Sequence, residues 1–131
     1  MIDQLIIHVD GACSGNPGRA GIGVVIDEGD KRVKEVSRYI GEATNNIAEY
    51  SALICALQEG AVLKARRLKI FSDSELVCKQ VKGDYKVKNE TLKALWEQVQ
   101  QLIKVFDDVE LTHVLREKNK EADKLATSSL K

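Results

Sequence analysis

Four acidic residues occupy positions where an acid is not needed for solubility. Asp10 and Asp73 each follow a short apolar run. Glu49 lies in the first turn of an apolar helical pattern, and Asp123 adjoins the apolar residues of a later helical pattern. Each position also has an ordinary explanation, because Asp and Glu are common in turns, helix caps and first helical turns. Together, two strands and two helices each carry one of these acids. The ends of these elements can meet at one edge of the sheet.

A cluster of these carboxylates would be a site for a hard metal ion. Grouped carboxylates repel one another and persist where a cation compensates their charge. Oxygen ligands without clustered His or Cys select Mg²⁺ or Mn²⁺ over zinc. A cage for two such ions suits phosphodiester hydrolysis, because one generates the hydroxide and the other stabilises the leaving oxygen. His8 and His113 fall within strand patterns, so we expect both to be packing residues.

The hydrophobic pattern predicts the elements that position these acids. Early apolar runs predict strands, and the period then changes to helices alternating with strands. A segment rich in turn formers at 13–21 separates the first two strands. The expected strands are 5–9, 22–26, 33–40, 68–71 and 109–115, and the expected helices are 46–63, a short one ending at 82, 92–106 and 120–130. This order implies a mixed sheet, an antiparallel meander joined to parallel crossovers.

Two helix ends have recognisable capping residues. Thr44 or Asn45 is a suitable N-cap for the first helix. Gly83 is placed to end the second helix. Two of the four acids, Glu49 and Asp73, therefore lie close to helix N-termini.

Length and composition indicate one globular domain spanning 1–131. The chain has 131 residues, 44% of them hydrophobic and 31% charged, with twenty basic and twenty acidic residues. We expect no signal peptide, because the start MIDQLIIHVDG is acidic and becomes a strand pattern at once. We expect no membrane span, because the apolar runs are shorter than the roughly 18–20 residues that cross a bilayer. Three cysteines suit neither a disulfide framework nor a zinc site, which favours a cytoplasmic protein. Zero net charge argues against nucleic-acid binding by bulk electrostatics.

Four segments resemble the signature segments of ribonuclease H type 1, in the family's order. They are VDGACSGNPGRAGIG at 9–23, TNNIAEYSALICAL at 44–57, FSDSELVCKQV at 71–81 and REKNKEADKLA at 116–126. The first segment is the most specific of the four. The resemblance implies an α/β fold with a five-stranded mixed sheet in the order 3-2-1-4-5, the first three strands antiparallel, flanked by helices.

The resemblance also implies an activity and its residues. The family hydrolyses the RNA strand of RNA/DNA hybrids with two Mg²⁺ or Mn²⁺ ions, leaving a 5′-phosphate and a 3′-hydroxyl. For this chain we expect an RNA/DNA hybrid as substrate, no membrane and no obligate protein partner. The positions that match its catalytic and metal-binding acids are Asp10, Glu49, Asp73 and Asp123. The positions that match its substrate-binding residues are Gly11, Cys13, Asn16, Thr44, Asn45 and Asn46. Amide side chains suit this task because they can both donate to and accept from a ribose 2′-hydroxyl.

The sequence departs from the family pattern in three places. The basic protrusion of many members is missing, although the stretch 79–93 keeps five lysines against two acids. Glu42 stands where an arginine commonly helps to hold a DNA phosphate, and an acid at this position would repel the phosphate. The flexible histidine before the last acid is absent, and Arg116 is a possible auxiliary residue in its place. We expect slower catalysis as a result.

These departures keep rival hypotheses open. One is a catalytically weak or inactive module of the same fold that binds RNA/DNA hybrids. Another is a related nuclease acting on DNA or structured RNA, and a third is an interaction protein with an incidental acid cluster. If the four acids are neutralised by metal, twenty basic residues face sixteen acidic ones elsewhere. The expected affinity for a hybrid is therefore weak, metal-dependent and salt-sensitive.

Overall fold

The computed structural model describes residues 2–131, in which five strands join into one mixed sheet. The strands are β1 (Ile2–Gly15), β2 (Gly18–Glu28), β3 (Lys31–Ala43), β4 (Ala65–Ser72) and β5 (Asp108–His113). The helices are α1 (Asn45–Val62), α2 (Glu75–Lys82), α3 (Glu90–Ile103) and α4 (Lys120–Ser128), with a 3₁₀ turn at Arg116–Lys118.

The sheet has the predicted order and directions. Its strand order is β3-β2-β1-β4-β5. β1 pairs antiparallel with β2, and β2 pairs antiparallel with β3. β4 is parallel to both β1 and β5. The expected fold class, an antiparallel meander joined to parallel crossovers, is confirmed.

The segment at 13–21 is not the loop that its composition predicts. β1 and β2 continue through it as a long hairpin, paired from Ile6 opposite Asp27 to Gly15 opposite Gly18. Only Asn16 and Pro17 form the turn. Gly21 of this segment has a second use, because its missing side chain allows α4 to approach the strand closely. The prediction was wrong because composition alone does not separate the two uses.

Two helices pack on opposite faces of the hairpin. A Cβ atom on Gly11 would collide with the backbone of α1, and one on Gly23 would collide with the backbone of α4. Gly23 lies directly across from Asp10, the neighbour of Gly11 in β1. Because successive strand residues point to opposite faces, α1 and α4 cover opposite sides of β1 and β2. The six residues 21–26 of β2 are accordingly all buried.

The helix boundaries agree closely with the hydrophobic pattern. Thr44 caps α1 by accepting a hydrogen bond from the Ile47 amide at 3.2 Å. Gly83 ends α2 in the left-handed conformation, with φ of 91°. α3 ends at Ile103, three residues before its predicted end, and Phe106 is buried in the following turn. No helix within residues 2–131 is long and apolar enough to cross a membrane.

Replacing Gly23 with Ala tests the contact between β2 and α4. We expect the free energy of unfolding to fall by about 1–3 kcal/mol, because the new methyl group overlaps backbone atoms of Ala122 and Ala126. Urea unfolding measures the change. Gly29→Asn is the control: Gly29 has φ of 57° with nothing near its missing Cβ. Asn tolerates this conformation, so the control should lose less than about 1 kcal/mol. Equal losses would contradict a tight contact at α4.

Candidate active site

The site lies where β1 extends beyond its parallel neighbour. β4 ends at Ser72, which is level with Val9 of β1. Asp10 is therefore the first β1 residue past this pairing, and Asp73 follows the end of β4. In open sheets, sites form at the carboxyl ends of strands, where neighbouring connections diverge and leave a crevice. The topology thus explains why two acids that are distant in sequence meet here.

Three carboxylates converge at this edge. One side-chain oxygen from each of Asp10, Glu49 and Asp73 lies within 4.8 Å of the other two. Asp10 is only 5% exposed. Glu49 comes from the first turns of α1, and its Oε1 accepts a hydrogen bond from the Gly11 amide at 2.7 Å. This bond fixes the acid of α1 beside the acid of β1, and the missing side chain of Gly11 makes the approach possible.

Burial and mutual repulsion make two of these acids difficult to ionise. Burial raises the pKa of Asp10, and the charges of Glu49 and Asp73 raise it further. Burial also raises the pKa of Glu49, with a further contribution from Asp73 and a smaller opposing one from the Gly11 hydrogen bond. The cluster therefore has too little positive charge nearby to hold all its acids as carboxylates. A bound cation would supply that charge.

Asp123 lies at the rim of the same cleft, outside the mutual distance of the other three acids. Its Oδ1 is 3.6 Å from a guanidinium nitrogen of Arg116. The Arg116 side chain is 80% exposed, so the ion pair is weak and leaves the arginine free to contact a substrate. Asp123 is close enough to Asp10 to contribute to the raised pKa of that carboxyl group, after burial and the charges of Glu49 and Asp73.

The acids line an open cleft of about 540 Å³ together with some of the predicted substrate-binding residues. Gly11, Cys13 and Asn45 are among its lining residues, as is Arg116. Within residues 2–131, the other three candidates are outside this lining: Asn16, Thr44 and Asn46. The structure therefore brings half of the predicted substrate-binding set to the acids directly.

The remaining polar candidates shape the cleft wall. The Asn16 side chain accepts a hydrogen bond from the Asn45 amide at 3.0 Å, which joins the β1–β2 turn to the start of α1. Thr44 uses its hydroxyl as the α1 cap. The Cys13 thiol donates to the Ala43 carbonyl at 2.9 Å. These contacts give Asn16 and Thr44 a structural task, as their turn and capping positions also allowed.

The sequence patterns did not predict every residue that lines the cleft. Ala12, Ser14, Thr127 and Leu130 also line the cleft. Thr127 follows Asp123 by four residues in α4, a spacing that places both side chains on one face of the helix. That spacing was the available signal for Thr127. Leu130 had no comparable signal, because it lies beyond the last regular turn of α4.

The two histidines behave differently from each other. His8 is half-buried and stacks on Phe71, with ring centroids 5.0 Å apart, and burial lowers its pKa. This confirms a packing role for His8. His113 is exposed at the end of β5, so the expectation that it packs was wrong. β5 is an edge strand, where alternate side chains face solvent rather than a second layer.

The donor set fits hard divalent cations. All the converging ligand atoms are carboxylate oxygens, and no His or Cys of residues 2–131 belongs to the group. Oxygen-only sets of this kind suit Mg²⁺ or Mn²⁺. The open side of the cleft leaves positions for water and for phosphate oxygens of a substrate.

Comparisons with known proteins identify the family of this chain. A family model described as reverse transcriptase-like matches residues 8–129. Ribonuclease H of Prosthecochloris aestuarii is 32% identical to this protein in an alignment covering 100% of this chain and 98% of that protein. The chain belongs to the ribonuclease H type 1 family. This membership accounts for the order of the four signature segments and for the sheet topology.

Other ribonuclease H relatives are longer or have known structures. The bifunctional protein Rv2228c of Mycobacterium tuberculosis is 38% identical over 97% of this chain, which spans 35% of that protein's length. The crystal structure of LC11-RNase H1 in complex with an RNA/DNA hybrid superposes with a TM-score of 0.90. It is 41% identical, and the match covers 96% of each chain.

Replacing Asp10 with Asn should stabilise the metal-free protein. Because its pKa is raised, native Asp10 retains a proton that the unfolded chain releases. Stability is therefore lost as pH rises above the ordinary carboxyl pKa of about 4. The variant should gain at least about 1 kcal/mol at pH 8 and much less at pH 5, measured by thermal unfolding in EDTA. Asp30→Asn, in the exposed β2–β3 turn, is the control. A gain independent of pH would contradict the repulsion.

Proposed function

We propose that this protein is an endonuclease that hydrolyses the RNA strand of RNA/DNA hybrids, with two divalent ions, Mg²⁺ or Mn²⁺. The products are 5′-phosphate and 3′-hydroxyl ends. The supporting observation is the convergence of Asp10, Glu49 and Asp73 at one edge of a ribonuclease H fold. The LC11-RNase H1 structure, which contains an RNA/DNA hybrid, supports the choice of substrate.

In this proposal the four acids hold the ions, and the positive charge of the ions offsets the repulsion among the carboxylates. Asp10 is central because its carboxylate, at the end of the β1–β4 pairing, lies close to both Glu49 of α1 and Asp73 after β4. When bound, the ions supply an activated water and stabilise the leaving oxygen. The Gly11 amide keeps Glu49 directed at the cluster. Asp123 and Arg116 form the opposite rim, where the exposed guanidinium can contact a substrate phosphate.

Recognition of RNA is assigned to the wall formed by β1 and the start of α1. Gly11, Cys13 and Asn45 line the cleft beside the acids. The exposed Asn45 side chain has both a donor and an acceptor, so it can bond a 2′-hydroxyl in either sense. A DNA strand lacks this hydroxyl, which makes the contact a means of choosing the RNA strand. Asn16 supports Asn45 through the hydrogen bond between them.

A basic surface beyond α2 is assigned to the second strand of the hybrid. Lys86 and Lys93 line a hollow of about 330 Å³ with Tyr85 and Trp96. The hollow lies at the C-terminal end of α2, whereas Asp73 lies just before its N-terminal end. The eight residues of α2 make the helix about 12 Å long. Lysines in this position can neutralise phosphates, and the half-exposed Tyr85 offers a ring face. The surface would compensate for the missing basic protrusion.

Glu42, at the position where the family commonly has an arginine, is unfavourable for phosphate binding. Glu42 is exposed on β3 and lies opposite Arg19 of β2 in the sheet register. Thr44, two residues away, already uses its hydroxyl to cap α1. We therefore assign the main phosphate contacts to the lysine surface rather than to this corner of the cleft.

The activity test compares substrates and metals in parallel. Labelled RNA/DNA hybrid, duplex DNA and duplex RNA are incubated with Mg²⁺ or Mn²⁺, and the ends of the products are mapped. We expect cutting of the RNA strand of the hybrid only. Asp10→Asn should lower the rate by at least about 1,000-fold, equivalent to ~4 kcal/mol of lost transition-state stabilisation. Asp30→Asn, remote from the cleft, should leave the rate unchanged.

The outcomes separate the rival functions. Hybrid binding without cutting would select the binding module, and cutting of duplex DNA would select a related nuclease. Full activity of Asp10→Asn would refute the metal-site assignment. A protein that shows neither binding nor cutting would be an interaction protein with an incidental acid cluster.

The lysine surface predicts a change in salt dependence. The double variant Lys86→Ala and Lys93→Ala should lower the slope of log affinity against log salt by about 2, because two phosphate contacts are lost. Fluorescence anisotropy with labelled hybrid measures binding, in an Asp10→Asn background so that the substrate stays intact. Lys31→Ala, at the exposed start of β3, is the matched control. An unchanged slope in the double variant would place the phosphate contacts elsewhere.

A further inference from the structure

Asn119 connects the last helix to the strand that carries the central acid. It precedes α4 and is only 1% exposed. Its side-chain amide donates to the Val9 carbonyl at 2.8 Å, and Val9 directly precedes Asp10. Its own backbone carbonyl accepts from the Asp123 amide at 3.1 Å. One buried residue is thus bonded next to Asp10 on one side and to Asp123 on the other.

The side chain of Asn119 is not used in the usual way for its position. An Asn before a helix normally caps it, with the side-chain oxygen accepting from an amide of the first turn. Asn119 makes no such bond with α4. Its Oδ1 has no hydrogen-bond partner among residues 2–131. The only hydrogen bond of this buried side chain is therefore the one that crosses to β1.

Stability by itself does not explain a buried amide whose Oδ1 has no hydrogen-bond partner among residues 2–131. An unsatisfied buried polar atom has a desolvation penalty, and an apolar residue of similar size would avoid it. The bond to Val9 acts at the last β1 residue paired with β4, immediately before the strand enters the site. Its position connects α4 to the sheet at the level of the acids.

We propose that Asn119 is a positioning residue that holds Asp123 at the correct place relative to Asp10. α4 contributes Asp123 from the opposite face of the sheet to α1, so the rim of the site depends on how α4 is seated. The close contact of Gly23 with α4 sets the distance between this helix and the sheet. The Asn119 bond sets the position of the helix along β1. The proposal rests on the proposed metal-dependent activity and assigns a residue beyond the four acids.

Mn²⁺ binding in the absence of substrate tests the proposal first. Asn119→Ala should weaken Mn²⁺ binding by about tenfold or more in isothermal titration, because residues that orient metal ligands have effects of this size. Asn119→Leu removes the same donor without leaving a large cavity, and should weaken binding similarly. Val99→Ala, a cavity variant in fully buried α3 packing, controls for general destabilisation and should bind Mn²⁺ normally.

Kinetics and a double-mutant cycle test whether Asn119 acts through Asp123. On hybrid substrate, Asn119→Leu should lower kcat by about tenfold or more with KM changed less than about twofold. In an Asp123→Ala background, the same change should have little further effect on Mn²⁺ affinity, because residues that act together are non-additive. Additive effects, or Mn²⁺ affinity unchanged in both Asn119 variants, would overturn the proposal.

The two readouts separate this inference from the proposed function. If the wild-type protein binds Mn²⁺ but does not cut hybrids, the proposed activity fails while the Mn²⁺ comparison still decides the role of Asn119. If the wild type cuts hybrids and the Asn119 variants match it in kcat and Mn²⁺ affinity, only the positioning role fails. If Asn119→Ala does not fold, Asn119→Leu and the Val99→Ala control supply the comparison.

Discussion

Mutual repulsion among buried carboxylates is the constraint around which the site is built. Asp10, Glu49 and Asp73 are held with their oxygens within 4.8 Å of one another, and burial raises the pKa of Asp10 and of Glu49. A chain can keep such a group only if its backbone forces the acids together and the rest of the fold is stable without them. A bound metal ion would relieve the repulsion, which would link the stability of the site to its chemistry.

The long β1–β2 hairpin is the element that forces the acids together. It carries Asp10 past the end of β4 and offers two glycine contacts, one to each flanking helix. Gly11 brings α1 and Glu49 onto one face, whereas Gly23 brings α4 and Asp123 onto the other. Helices on opposite faces of a sheet are separated by the sheet itself. Here α1 and α4 both contribute to one site, because both approach the edge at which β1 extends beyond the end of β4.

A chain with no net charge can still recognise a nucleic acid when its charges are separated in space. Four of the twenty acidic residues line the cleft, and Lys86 and Lys93 lie beyond α2 beside two aromatic side chains. Ions bound in the cleft would reverse its local charge, leaving the lysine surface to contribute phosphate contacts. In the proposed function, discrimination between RNA and DNA depends on short-range contacts from the β1 and α1 wall, which screening by salt affects little.

Local sequence patterns were enough to predict the helices, the sheet class and the acids that form the site. Helical periodicity and capping residues such as Thr44 and Gly83 are local signals, so those boundaries were predictable. The glycine-rich segment at 13–21 and the exposed His113 were predicted wrongly, because strand pairing and edge position are properties of the assembled sheet. Only the tertiary structure showed that Asn119 joins Val9 to Asp123. That bond spans 110 residues of chain, and no local pattern records which distant carbonyl a buried amide will meet.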